Sequence, residues 1–152
     1  MTKPLMILIA GPYASGTDGD PVLMHRNLER LEGAAWPLFR AGHIPMIGEW
    51  VALPVLSSAG ATGPTDPLAA EVMYPVAHRL LQHCDAVLRL PGESRGADQD
   101  VAIARERGLP VYTSLAEVPG VAAGDEAGRD TSFTPARGGA ERPLLGRCDR
   151  GA

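Results

Sequence analysis

The chain has 152 residues, enough for one domain with a sizeable buried core. Its composition, 45% hydrophobic and 21% charged, is that of an ordinary globular protein. The formal charge of −4 argues against a nucleic-acid polymer as the main partner, because phosphate backbones require a basic surface, but leaves a single nucleoside or nucleotide open.

Residues 5–10 are a continuous apolar run ended by Gly11-Pro12, the pattern of a fully buried strand in a parallel sheet. The run is too short for a signal-peptide core or a membrane span, so a cytoplasmic protein without membrane contact is expected. A polar, glycine-rich loop over 13–19 leads to Asp20-Pro21, an N-cap followed by a first-turn proline. Leu28, Leu31, Ala35 and Leu38 then repeat at helical spacing to near Gly42, with Pro37 expected to kink the last turns. A short strand is predicted over 43–47 and a short helix over 49–56, broken at Pro54. Residues 57–66 form a loop long enough for a lid or binding segment. Asp66-Pro67 caps a helix running to about residue 83, kinked near Pro75.

A third strand follows over 85–90, in which Arg89 interrupts apolar sequence and calls for a partner, Asp85 or a neighbouring subunit. A helix over 97–107, a strand over 109–113 and a helical turn over 115–118 complete the pattern. Strands alternating with helices predict an α/β fold: one three-layer domain over 1–120, with a four- or five-stranded parallel sheet of Rossmann or flavodoxin type. Residues 121–152 are rich in Gly, Ala, Arg and Asp, and are expected to form a disordered tail. Cys84 and Cys148 suit neither a disulfide framework nor a metal site, so no metal and no cofactor is expected.

In open parallel sheets, ligands bind beyond the carboxyl ends of the strands. Two loops have suitable chemistry there. The first contains Gly11, Pro12, Tyr13, Ser15 and Gly16; the second contains Glu93, Ser94, Arg95, Gly96 and Ala97 and opens a helix. Unpaired N–H groups at that helix start favour an anion, with Ser94 as a hydroxyl donor and Arg95 as a charge clamp, although Ser94 as a simple cap accounts for it equally well. Glu49 and Trp50, after the second strand, are placed to line the same edge. At ~100° per residue, Ala97, Val101, Ile103 and Ala104 mark the inward helix face; Asp100 falls within about 40° of its centre and Asp98 points away. An inward carboxylate is costly to bury unless it is paired or faces a cleft, which makes Asp100 the candidate reactive group.

The ordered fragments Ile9-Ala10-Gly11-Pro12-Tyr13, Ala41-Gly42-His43-Ile44-Pro45, Cys84-Asp85-Ala86-Val87-Leu88, Ser94-Arg95-Gly96-Ala97 and Gly108-Leu109-Pro110-Val111 resemble the nucleoside 2-deoxyribosyltransferase-like superfamily, and within it the DUF4406 branch. The resemblance spans roughly residues 5–118. It implies a Ser-x-Gly-x-x-x-Glu site in which Ser94 contacts the sugar 5′ group or phosphate, Gly96 opens the helix, and Asp100 takes the place of the nucleophilic glutamate. Glu93 or Asp98 is then the candidate partner acid. The implied partners are a small-molecule nucleoside or nucleotide and, because relatives complete their sites across dimer contacts, a second copy of the chain, with the helix from residue 67 to 83 as contact surface.

The chain departs from the pattern at three positions: Ile7 stands where a strand-one tyrosine orients the nucleophile, Ala77 where an acid reads the base, and Asp100 where the carboxylate is one methylene longer. Two functions therefore stay open: an N-glycosidic bond hydrolase or deoxyribosyltransferase, and a non-catalytic nucleotide or nucleotide-sugar binding module.

Overall fold

A computed structural model describes residues 3–124. The predicted tail lies outside them from residue 125 onward, as does Cys148. Four strands form one all-parallel sheet: β1 (Met6–Ala10), β2 (Ile44–Met46), β3 (Ala86–Arg89) and β4 (Val111–Tyr112), in the order β2-β1-β3-β4. Around them run α1 (Pro21–Glu32), α2 (Ala35–Arg40), α3 (Gly48–Ser58), α4 (Ala69–Leu81), α5 (Arg95–Glu106) and a 3₁₀ turn, Leu115–Glu117. The α/β class, the parallel sheet and the helical coverage are as the sequence predicts. Among the described residues no helix is long and apolar enough to cross a membrane.

Side-chain alternation along β1 feeds two separate cores. Ile7 and Ile9 pack with Leu31, Leu38, Ile47, Ala86, Leu88 and Val118, against α1, α2 and the 3₁₀ turn. Leu8 and Ala10 pack with Leu81, Cys84, Val87, Ala97 and Ala104, against α4 and α5. Val121 still packs against the first core, so the folded body reaches just past the boundary predicted at residue 120. Asp85 pins the start of the sheet: its Oδ2 accepts the Met6 N–H at 2.9 Å, and its own N–H donates to the Met6 carbonyl at 2.8 Å. This is its role, rather than the expected pairing with Arg89.

Helix boundaries show how proline acts. The predicted long helix from Asp20 is two helices. Asp20 caps α1 through Val22 N–H as expected. A continuous helix would have set the Pro37 ring against the Gly33 carbonyl, so the chain breaks at Gly33-Ala34 and Pro37 becomes the third residue of α2, where its missing N–H is not needed. Pro54 does not break α3, and Pro75 stays inside α4. Each removes one helical bond, while α3 is held by burial of Ala52 and Leu56 and α4 by Leu81.

The order β2-β1-β3-β4 places a topological switch between β1 and β3, because the chain leaves β1 for one side and returns to the other. The loops after these strands are packed together. Gly92 has φ +117°, and a Cβ there would lie 2.6 Å from Pro12 Cγ. Gly11 is closely packed too, with a Cβ position 2.8 Å from Leu31 Cδ2, but its backbone is not in the left-handed region and the leucine methyl can shift. Replacing Gly92 by Ala should cost about 2 kcal/mol or more by chemical denaturation, through both backbone strain and the Pro12 clash. A loss under about 0.5 kcal/mol would mean that the two loops are not held in this packing.

Candidate functional site

A cavity of about 280 Å³ opens at the carboxyl end of β1, on the α4–α5 side of the sheet. Its floor is Leu8, Ile9, Ala10 and Gly11; Tyr13, Ala14 and Ser15 come from the first loop. From α3 come Gly48 and Glu49, from the following loop Pro64, and from α4 Ala69, Ala70, Met73, Tyr74 and Ala77. Ser94, Gly96, Ala97 and Asp100 complete the wall from the start of α5.

The loop between β1 and α1 is wound around Thr17, a buried residue the sequence reading did not single out. Its hydroxyl donates to the Ala14 carbonyl at 2.6 Å and accepts the Gly19 N–H at 3.4 Å. Asn27 of α1 donates to the Tyr13 carbonyl at 2.8 Å, which holds Tyr13 at the cavity. A threonine set between the glycines of this loop, able to bond the backbone two or three residues away, is the sequence signal that could have revealed this knot.

Ser94 is 5% exposed and caps α5, its Oγ accepting the Ala97 N–H at 3.2 Å. It is therefore both a cap and a cavity residue. The helical phase of α5 falls as predicted: Ala97 and Ala104 are buried, Asp100 is half-buried and faces the cavity, and Asp98 is exposed. Asp98 meets Arg89 Nη2 at 3.0 Å, and Arg89 also donates to the carbonyls of Leu90 and Gly92. Within the chain Arg89 pairs with Asp98 and not with Asp85 as expected, an ion pair that ties the start of α5 to the end of β3.

This pairing takes Asp98 out of the role of partner acid to Asp100. Asp98 is engaged outside the cavity and Glu93 is exposed, so neither stands beside Asp100. The carboxyl group that shares the cavity with Asp100 is Glu49, expected only as a binding contact. Burial pushes the Asp100 carboxyl up to about 7, with the nearby Glu49 charge adding to the rise and Arg89 opposing it. Burial also raises Glu49, against a lowering bond from its own backbone. The Tyr13 hydroxyl is raised by burial and by Glu49. Tyr13, Glu49 and Asp100 thus form one electrostatically linked set drawn from three segments of the chain.

Other candidates fall elsewhere. Pro12, Gly16 and Arg95 do not line the cavity, and Trp50 is exposed with its Nε1 donating to Glu32 at 3.4 Å. His43 is structural: its Nδ1 accepts the Leu5 N–H at 3.2 Å while Nε2 donates to the Pro119 carbonyl at 2.7 Å. Cys84 is buried and its thiol is raised to about 11, chiefly by burial and then by Asp85, which leaves it unreactive at neutral pH. Among the described residues no group of three or more His, Cys, Asp or Glu could hold a metal.

No family model matches this chain, and no curated protein or solved structure matches it.

A carboxyl raised by folding binds its proton more tightly in the native state, so stability must fall as pH rises from the unfolded value near 3.8 through about 7. We expect wild-type stability to drop between pH 5 and pH 8 by on the order of 2 kcal/mol, and Asp100→Asn to lose much of that drop and to be the more stable protein at pH 8. Urea midpoints at the two pH values check this. Parallel wild-type and variant profiles would show that Asp100 is not desolvated in the fold.

Proposed function

We propose that the chain is a nucleoside or nucleotide N-glycosidic bond hydrolase or deoxyribosyltransferase acting through the Asp100 carboxylate, as its resemblance to the nucleoside 2-deoxyribosyltransferase-like superfamily implies. The observation that carries this reading is the meeting of Asp100 and Glu49 in one cavity at the carboxyl end of β1. Two desolvated carboxyl groups that repel one another retain a proton near neutral pH, which provides a nucleophile and an acid side by side.

In the first step an ionised Asp100 oxygen attacks the anomeric carbon, the C1′–N bond breaks, and its electron pair leaves with the base. The Glu49 carboxyl passes its proton to the departing nitrogen. In the second step the Glu49 carboxylate takes a proton from water, whose oxygen attacks C1′ and releases Asp100 and the free sugar. A second base in place of water gives transfer. The reactive form carries one proton on the pair, with Asp100 ionised and Glu49 protonated, so it is lost as pH rises through about 7.

The competing reading is a binding module without chemistry. What favours it is Ile7, wholly buried in the core, so that β1 sends no tyrosine towards Asp100, and Ala77, which gives the cavity wall a methyl group where an acid would read the base. In either reading the ligand is a small molecule, and the resemblance adds a homodimer or larger homo-oligomer of this chain.

Incubation with a panel of nucleosides and 5′-monophosphates should release free base. Asp100→Ala should lower kcat by about 10³-fold or more, and Glu49→Gln by about 10²-fold or more, with the wild-type rate falling as pH rises above about 7. Thermal stabilisation by a ligand without any base release, unchanged in Asp100→Ala, would assign the protein to the binding module instead.

A further inference from the structure

The cavity has a charge balance that its position at a helix start does not suggest. Two carboxyl side chains, Glu49 and Asp100, face it, and among the described residues lining it there is no Lys, Arg or His. Two arginines flanking the loop after β3 do not serve the cavity: Arg89 serves Asp98 and two carbonyls, and Arg95 is exposed and outside the wall. Two of the N–H groups at the start of α5 are used within the chain, since Ser94 Oγ accepts from Ala97 and the Ser94 carbonyl accepts the Asp98 N–H at 3.0 Å. The remaining polar groups, among them the hydroxyls of Tyr13, Ser15 and Ser94, suit sugar hydroxyls, and the carboxylates accept from them.

We propose that this cavity selects by charge, taking an unphosphorylated nucleoside and rejecting its 5′-monophosphate, with Glu49 as the residue that sets the choice. The inference rests on the nucleoside reading above and narrows it. A 5′-phosphate carries a charge of about −1.5 to −2 at neutral pH and finds no cation here to meet it. Even when Glu49 and Asp100 share one proton, the remaining negative charge faces the phosphate across a partly desolvated space, where repulsion is several times stronger than in water. Asp100 is the reacting group under the proposed chemistry, whereas Glu49 enters from α3 and is the carboxylate whose charge can be removed while the nucleophile is kept.

Titration calorimetry on the full chain, using purine and pyrimidine 2′-deoxynucleosides and their 5′-monophosphates, with and without magnesium, tests this. Wild type should bind at least one nucleoside about tenfold or more tighter than its monophosphate. Glu49→Gln should bring that ratio towards one by strengthening the monophosphate. Glu49→Asp, which keeps the charge, and Glu93→Gln, outside the cavity, should leave the ratio high. Equal or tighter binding of the monophosphate, alone or once magnesium bridges it to the carboxylates, overturns the selection while leaving the nucleoside-type site standing. An unchanged ratio in folded Glu49→Gln removes Glu49 from the role. No binding of any nucleoside or monophosphate to the folded wild type overturns the selection and the underlying reading together.

Discussion

β1 has to bury both faces and pair both edges at once, and the rest of the molecule follows from that demand. Its five residues carry no charge and no polar side chain, so each face needs its own apolar layer and each edge its own partner strand. The connections through α1–α2 and through α3–α4 place β2 and β3 on opposite sides, and a crevice opens where the two directions part. The Pro12–Gly92 contact then locks the two loops at that crevice together. The site is therefore built on a strand paired at both edges, with its reactive groups supplied by elements that converge there.

Within the crevice, desolvation outweighs charge compensation. Arg89 is close enough to oppose the rise of Asp100 but does not prevent it, because its guanidinium is turned to Asp98 and to backbone carbonyls. A carboxyl left near 7 without a salt-bridge partner costs folding free energy at neutral pH. Structural ion pairs are arranged the other way, as Arg89 and Asp98 are at the surface of the same helix. Poised, uncompensated acids in a cavity are what acid–base and nucleophilic chemistry require, and they are equally suited to accept hydrogen bonds from a sugar.

The helix α4 changes meaning in the folded chain. Its apolar residues suggest a surface for a second copy, yet Met73, Ala77 and Leu81 are directed to the cavity and the core, and α4 lies between α3 and α5. Tyr74 on α4 and Leu68 just before it remain exposed, while Trp36 and Phe39 stack in the open on α2, with ring centroids 5.9 Å apart. Amphipathic periodicity identifies a helix with something to bury, but it does not say whether the covering surface is the chain's own.

The sequence by itself determined the order of strands and helices, the parallel sheet, the cap at Ser94 and the inward phase of Asp100, because these depend on local periodicity and turn chemistry over a few residues. It also marked Tyr13 and Glu49 as residues at the right edge. Only the tertiary structure decided that Glu49, some fifty positions before Asp100, is the acid beside it, while Asp98 and Glu93, its neighbours in sequence, are not. The break at Gly33, the Arg89–Asp98 pair and the cation-free wall were settled at the same level. Each depends on which side chains meet across the switch between β1 and β3, and pairing between distant segments leaves no local pattern in the chain.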